Sequence, residues 1–194
     1  MACLKLIILA LVCISAVKND TAWGKCPDVE YQLESFDVSR YLGKWYEIAR
    51  AVKTPFQRGE CSQALYSLNE EDGTVRVENS EKIGEHRHIA IGKAETTPNP
   101  FVLKVSFGES FLSKFFKGDY RVIDTDYENF SIVYSCTDLL IARAEFLWIL
   151  SRTPKISDEQ LINLSAFVAN KLGYTPDRLR FTRQDVDFCE YKDE

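Results

Sequence analysis

The chain has 194 residues, of which 45% are hydrophobic and 27% charged, with a formal net charge of −5. That composition suits one globular domain of moderate size. With no basic excess, the phosphate-neutralising surface of a nucleic-acid binder is excluded, and the mild acidity says little else about partners.

In chain order, MACLKLIILALVCISA (1–16) sets Lys5 ahead of an apolar run from Leu6 to Val12 and ends in small residues. This is the pattern of a secretory signal peptide cleaved near Ala16, and the run falls short of the roughly 20 residues a membrane-spanning helix needs. The expectation is a secreted, extracellular domain over 17–194 with no transmembrane segment. Of six cysteines, Cys3 and Cys13 leave with the signal, so Cys26, Cys61, Cys136 and Cys189 remain. Four cysteines in an oxidising compartment imply two disulfides, and spacing alone leaves all three pairings open. No CxxC or CxxH spacing occurs and only two histidines are present, which argues against a metal site.

Val17 to Lys25 is polar and reads as a mobile start. Strand-like runs follow, separated by turn signals: Trp45–Ala51, a break at Thr54-Pro55, then Ser62–Leu68 closed by Asn69–Gly73. TVRVENSEK alternates Val75 and Val77 with Arg76 and Glu78, and Gly84 breaks the chain before HRHIAIGKAE. After Pro98 and Pro100, Phe101, Leu103, Val105 and Phe107 share one face of FVLKVSF. DYRVID and NFSIVYSC flank a hairpin-like turn at Asp126–Asn129, and AEFLWILSR is the last run. Eight short runs at near-regular spacing predict an all-β sandwich or barrel. One segment departs from this rhythm. Ser157 precedes Gln160 as in a capping box, Leu161, Leu164, Val168 and Leu172 recur at helical spacing, and Gly173 stands at the stop. The spacing predicts one amphipathic helix packed outside the sheet, with a short strand near Arg178–Arg183 after it.

A closed sheet of eight strands is just wide enough to hold side chains or one small ligand. Phe146, Trp148, Leu150 and Arg152 have one parity, so Arg152 lies about 13 Å beyond Trp148 on the same side. A guanidinium there is placed to stack on Trp45 and donate to backbone carbonyls, sealing one end.

Gly43-x-Trp45, Thr125-Asp126-Tyr127 and Arg152, in that order and followed by the terminal helix, resemble the three short signatures of the lipocalin family. GKCP (24–27), FDVSRYLGKWYEI (36–48), TDYENFSIVYSC (125–136) and FLWILSRTP (146–154) extend the resemblance over nearly the whole chain after the signal, and LWILSRTPKISDE is also similar to bacterial lipocalins. The resemblance implies an eight-stranded antiparallel up-and-down barrel with one C-terminal helix outside it. It also implies barrel closure by Trp45 and Arg152, with disulfides Cys26–Cys136 and Cys61–Cys189. Trp148 matches a pocket tryptophan of the family, while Tyr66, Phe101, Leu103, Val105, Phe107, Ile132 and Tyr134 are ligand-contact candidates by alternation.

FGESFLSKFFKGDY (107–120) carries Phe111, Leu112, Phe115 and Phe116 in an interstrand loop, which marks loop 108–118 as a lip for ligand entry or contact with a lipid surface or protein. A related lipocalin has a methionine in this loop to which peroxide reduction is attributed; here the one methionine is Met1. Sequons at Asn19, Asn129 and Asn163 are glycosylation candidates. His86 and His88 face one side of a strand, yet no nucleophile or third ligand accompanies them, so no enzyme is expected. The reading is a secreted carrier that binds lipids, fatty acids, steroids or retinoid-like molecules reversibly and uses no cofactor. The alternative is a coloration protein that holds a bilin in the same cavity.

Overall fold

The computed structural model describes residues 21–108 and 117–191. The expected signal peptide, Asn19 and the apolar residues 111–116 therefore lie outside the described residues. Ten strands form one antiparallel sheet: β1 (Thr21–Trp23), β2 (Gly43–Ala51), β3 (Glu60–Asn69), β4 (Thr74–Ile83), β5 (His86–Thr96), β6 (Val102–Phe107), β7 (Gly118–Thr125), β8 (Phe130–Leu139), β9 (Ala142–Ser151) and β10 (Leu179–Phe181). Each of β2 to β9 pairs with the next, and β9 pairs back onto β2, so these eight strands close into a barrel. Helix α1 (Val38–Tyr41) leads into β2, α2 (Asp158–Leu172) follows β9, and α3 (Val186–Cys189) ends the described chain.

The two outer strands patch gaps in that barrel. β2 meets β9 at residues 148–151, and β1 takes up the same edge of β9 at Ala142–Ala144. Likewise β10 pairs with Ala49–Ala51 of β2, beyond the stretch Gly43–Tyr46 that β3 occupies. Each thus satisfies backbone groups that an open edge would leave unpaired. The polar start was expected to be mobile, but Thr21–Trp23 is ordered by this pairing and by the Cys26–Cys136 bridge that anchors it from below.

Helix α2 forms as its sequence dictates. The Ser157 hydroxyl accepts the Gln160 N–H at 3.1 Å, and Gly173 ends the helix at φ 70° with its N–H on Ala169. Leu164 and Val168 are buried, and Leu161 and Leu172 pack at the edge of the same cluster. That cluster lies between the helix and the outer face of β7, β8 and β9, where it includes Ile123, Ile132, Tyr134, Leu147 and Ile149. A second cluster fills the lower barrel around Trp45, Tyr66, Val122 and Val133.

Two bulges change which residues face in. β2 slips register between Glu47 and Ala49, and β7 between Val122 and Asp124, leaving Ile48 and Ile123 unpaired and packed in the outer cluster. The extra residue in β2 lets Glu47 and Arg50, three apart, face the same way; without it they would point to opposite faces.

Candidate functional site

The closed end of the barrel is built around Trp45, which is 0% exposed and donates its indole N–H to the Tyr41 carbonyl at 2.9 Å. The Arg152 guanidinium lies over the indole with its Cζ 3.7 Å from the ring centroid. Its three nitrogens are all spent on backbone: Nε on Tyr127 at 2.9 Å, Nη1 on Lys44 at 2.9 Å and Nη2 on Arg40 at 3.1 Å. Gly43 is required here twice over. Its φ is 92°, and a Cβ would stand 3.3 Å from Arg152 Nη1. Thr125 and Asp126 hold the turn that delivers the Tyr127 carbonyl. The Thr125 hydroxyl accepts the Tyr127 N–H, and Asp126 Oδ1 accepts the N–H groups of Glu128, Asn129 and Phe130 at 3.1, 2.7 and 3.0 Å. Burial by itself would raise the Asp126 pKa; the hydrogen bonds from Phe130 and Asn129 outweigh it and hold the carboxyl below its usual range.

Above this floor lies a cavity of about 500 Å³, walled mainly by apolar side chains. Trp148, Tyr66, Leu103, Val105 and Phe107 line it, so five of the eight proposed contacts come together. The other three do not. Ile132 and Tyr134 point outward beneath α2, where the Tyr134 hydroxyl donates to Glu145 at 2.5 Å. The reason is that both faces of β8 are covered, so its apolar alternation marks the helix-facing side as readily as the cavity side. Phe101 precedes β6 and is turned aside to stack on Tyr31, with ring centroids 4.7 Å apart.

Sequence reasoning passed over two groups of lining residues. On the floor, Tyr41, Tyr66 and Tyr120 join through their hydroxyls, Tyr41 to Tyr120 at 2.9 Å and Tyr66 to Tyr120 at 2.9 Å, with Ser131 behind Tyr41 at 2.8 Å. Burial pushes the Tyr41 pKa up to about 12 and raises those of Tyr66 and Tyr120 further, so all three remain proton donors. Alternation of Tyr120 with Val122 was the available signal for one of them. At the mouth, the β2–β3 connection carries Phe56 and Gln57 inward. Trp148 donates its indole N–H to Gln57 Oε1 at 2.6 Å, and Gln57 in turn donates to Glu47 Oε2 at 3.0 Å. Glu47 is buried and held by Arg50, which also donates to the Gly59 carbonyl at 3.0 Å. A loop glutamine has no sequence pattern that announces such a role.

Of the histidines, His88 lines the cavity and His86 has the same parity, both being exposed. Among the described residues no three His, Cys, Asp or Glu side chains gather into a metal-sized cluster. Asn163 is exposed on α2; Asn129 is exposed too, but its amide donates to Asp126 Oδ2 at 2.7 Å. The disulfides are Cys26–Cys136 and Cys61–Cys189, which tie the N-terminal segment and α3 to the barrel wall.

Comparison with known proteins agrees with this architecture. A family model described as a lipocalin-like domain matches residues 36–184. Apolipoprotein D of Bos taurus is 39% identical over 142 residues, covering 73% of each chain. Outer membrane lipoprotein Blc of Citrobacter freundii is 38% identical over 157 residues, covering 78% of this chain and 81% of that protein. Among solved structures, lobster apocrustacyanin A1 superposes with a TM-score of 0.71 at 24% identity, covering 87% of this chain and 93% of its own. Insecticyanin of Manduca sexta gives 0.71 at 22% identity, covering 89% and 93%. At those identities the two structures speak to the fold alone.

Proposed function

The chain belongs to the lipocalin family, and from that premise we propose that it is a secreted carrier which binds a small hydrophobic molecule reversibly in its barrel. The observation that carries this reading is the apolar cavity of about 500 Å³, closed below by Trp45 and Arg152 and walled by Trp148, Leu103 and Val105. Such a space, with a few polar groups set in it, suits one lipid-sized ligand held by burial of apolar surface. Two disulfides support an extracellular location.

Release and uptake would occur at the mouth, where Gln57 bridges Trp148 to Glu47 and Phe56 packs edge-on against Phe146 at 5.0 Å. The 108–118 segment, of which residues 109–116 lie outside the described residues, is assigned contact with a lipid surface or protein on the apolar character of its sequence. Supporting that assignment, the β8–β9 turn at the mouth leaves Leu139, Leu140 and Ile141 exposed, with exposed Trp23 paired beside it. We assign no catalytic role: the Tyr66–Tyr120 contact holds the floor, and the Trp148–Gln57 contact holds the mouth loop.

Titration with the neutral apolar dye N-phenyl-1-naphthylamine tests the carrier reading. A saturable rise in dye emission, reversed by competing lipid, is expected, and Trp148→Phe should weaken lipid-dependent quenching of protein fluorescence. Absence of dye binding would overturn the reading, while unchanged quenching and affinity would remove Trp148 from the site. The bilin alternative requires strong visible absorption in protein purified from its natural source; a colourless protein rejects it.

A further inference from the structure

The floor of the cavity has an uneven proton count. Ser131, Tyr41, Tyr120 and Tyr66 form a row of four hydroxyls joined by three contacts of 2.8 to 2.9 Å. Each contact uses one proton, so the row holds one donor more than it consumes. Ser131 lies behind Tyr41, away from the cavity, whereas Tyr66 and Tyr120 line it, and Tyr120 is half-buried. Tyr41 lines it too but is 3% exposed with hydroxyl partners on both sides, so the oxygens best placed to spend the surplus proton on a ligand are those of Tyr66, at the end of the row, and half-buried Tyr120. An unspent donor in an apolar space is costly, and a ligand acceptor relieves that cost.

Charge narrows what the acceptor can be. Glu47, Glu81 and Asp119 line the cavity, while among the described residues no lysine or arginine does. The cations and donors of these carboxylates are already engaged with them: Arg50 with Glu47, the N–H groups of Arg58 and Gly59 with Glu81, and Lys104 and Arg121 with Asp119. A ligand carboxylate would enter among three negative groups, with His88 exposed on β5, and would meet neutral hydroxyls at the floor, since the guanidinium nitrogens of Arg152 beneath are all spent on backbone; its charge would be buried without a hydrogen-bonded cation. A second neutral polar group lines the same space. Ser62 is 1% exposed and its hydroxyl has no hydrogen-bond partner; on β3 it stands about 13 Å above Tyr66.

Resting on the carrier reading above, we propose that the Tyr41–Tyr120–Tyr66 row is a subsite for the neutral oxygen of a lipid. A carbonyl or hydroxyl at the end of an apolar body would point down to the floor, and the cavity would discriminate against lipids that end in a carboxylate. The apolar body would lie against Trp148 and Leu103 while the oxygen accepts from Tyr66 or Tyr120.

All-trans retinol and all-trans retinoic acid share one apolar body and differ in the head, so they test the discrimination directly. Quenching titrations of the full chain at neutral pH should give retinol about tenfold tighter binding than retinoic acid. In Tyr120→Phe, retinol affinity should fall about three- to tenfold with retinoic acid unchanged, so the preference shrinks. Tyr66→Phe repeats the measurement at the end of the row, should Tyr120→Phe melt early. Equal binding of both retinoids by the unaltered chain overturns the inference without any variant, as does a preference that survives both substitutions. Binding of N-phenyl-1-naphthylamine in those same samples leaves the carrier reading standing; if neither the dye nor either retinoid binds, both readings fall.

Discussion

The two ends of the barrel are made of similar residues and behave differently. At the closed end a tryptophan and an arginine meet face to face, and all three guanidinium nitrogens end on backbone carbonyls. At the mouth a second tryptophan is half-buried and its indole N–H ends on a loop glutamine. Backbone partners belong to strands and turns that cannot move without opening the barrel, whereas a side chain on the β2–β3 connection can rotate away at the loss of about one hydrogen bond. The same chemistry thus makes a permanent seal below and a releasable latch above.

Four substitutions probe that contrast, from the largest effect to the smallest. Trp45→Ala should cost about 3–5 kcal/mol in denaturant unfolding, as it empties a fully buried site; a curve matching the parent would break the account of the seal. Arg152→Gln strands the carbonyls of Arg40, Lys44 and Tyr127 and should cost about 2–3 kcal/mol by the same measurement. Asp126→Asn should cost about 1–2 kcal/mol at neutral pH. Its sign against pH is fixed: the folded carboxyl lies below its ordinary 3.8, so its contribution is present above that value and lost as pH falls through the folded one. Acid titration below about pH 4 should therefore destabilise the parent by more than it does the asparagine variant. Gln57→Ala should cost under about 1 kcal/mol yet speed ligand release in stopped-flow chase, because it unhooks Trp148. If Gln57→Ala proved as destabilising as Arg152→Gln, the distinction between seal and latch would be lost.

Much of the closed end was legible because it depends on short local patterns. Gly43 two places before Trp45, the Thr125-Asp126-Tyr127 turn and the parity that aligns Trp148 with Arg152 are each visible within a few residues. The lining of the cavity was legible only in part. Leu103, Val105, Phe107 and Tyr66 were found by alternation, but Ile132 and Tyr134 were placed on the wrong face of β8. Alternation gives two faces without saying which is inside, and α2 makes the outer face of β8 the more apolar one. Cys136 held the clue: it shares their parity, and its bond to Cys26 draws it to the outside.

The sequence by itself determined the eight strands of the barrel, the capped helix that follows them, and the residues that close the lower end, because each follows from periodicity, capping or φ at neighbouring positions. Tertiary structure alone decided which face of each wall looks inward and how the cavity is furnished. The bulge at Ile48 turns Glu47 and Arg50 to one side, and the row from Ser131 to Tyr66 joins residues from α1, β3, β7 and β8. Such groupings depend on barrel closure, which brings distant strands together across a space about as wide as one ligand.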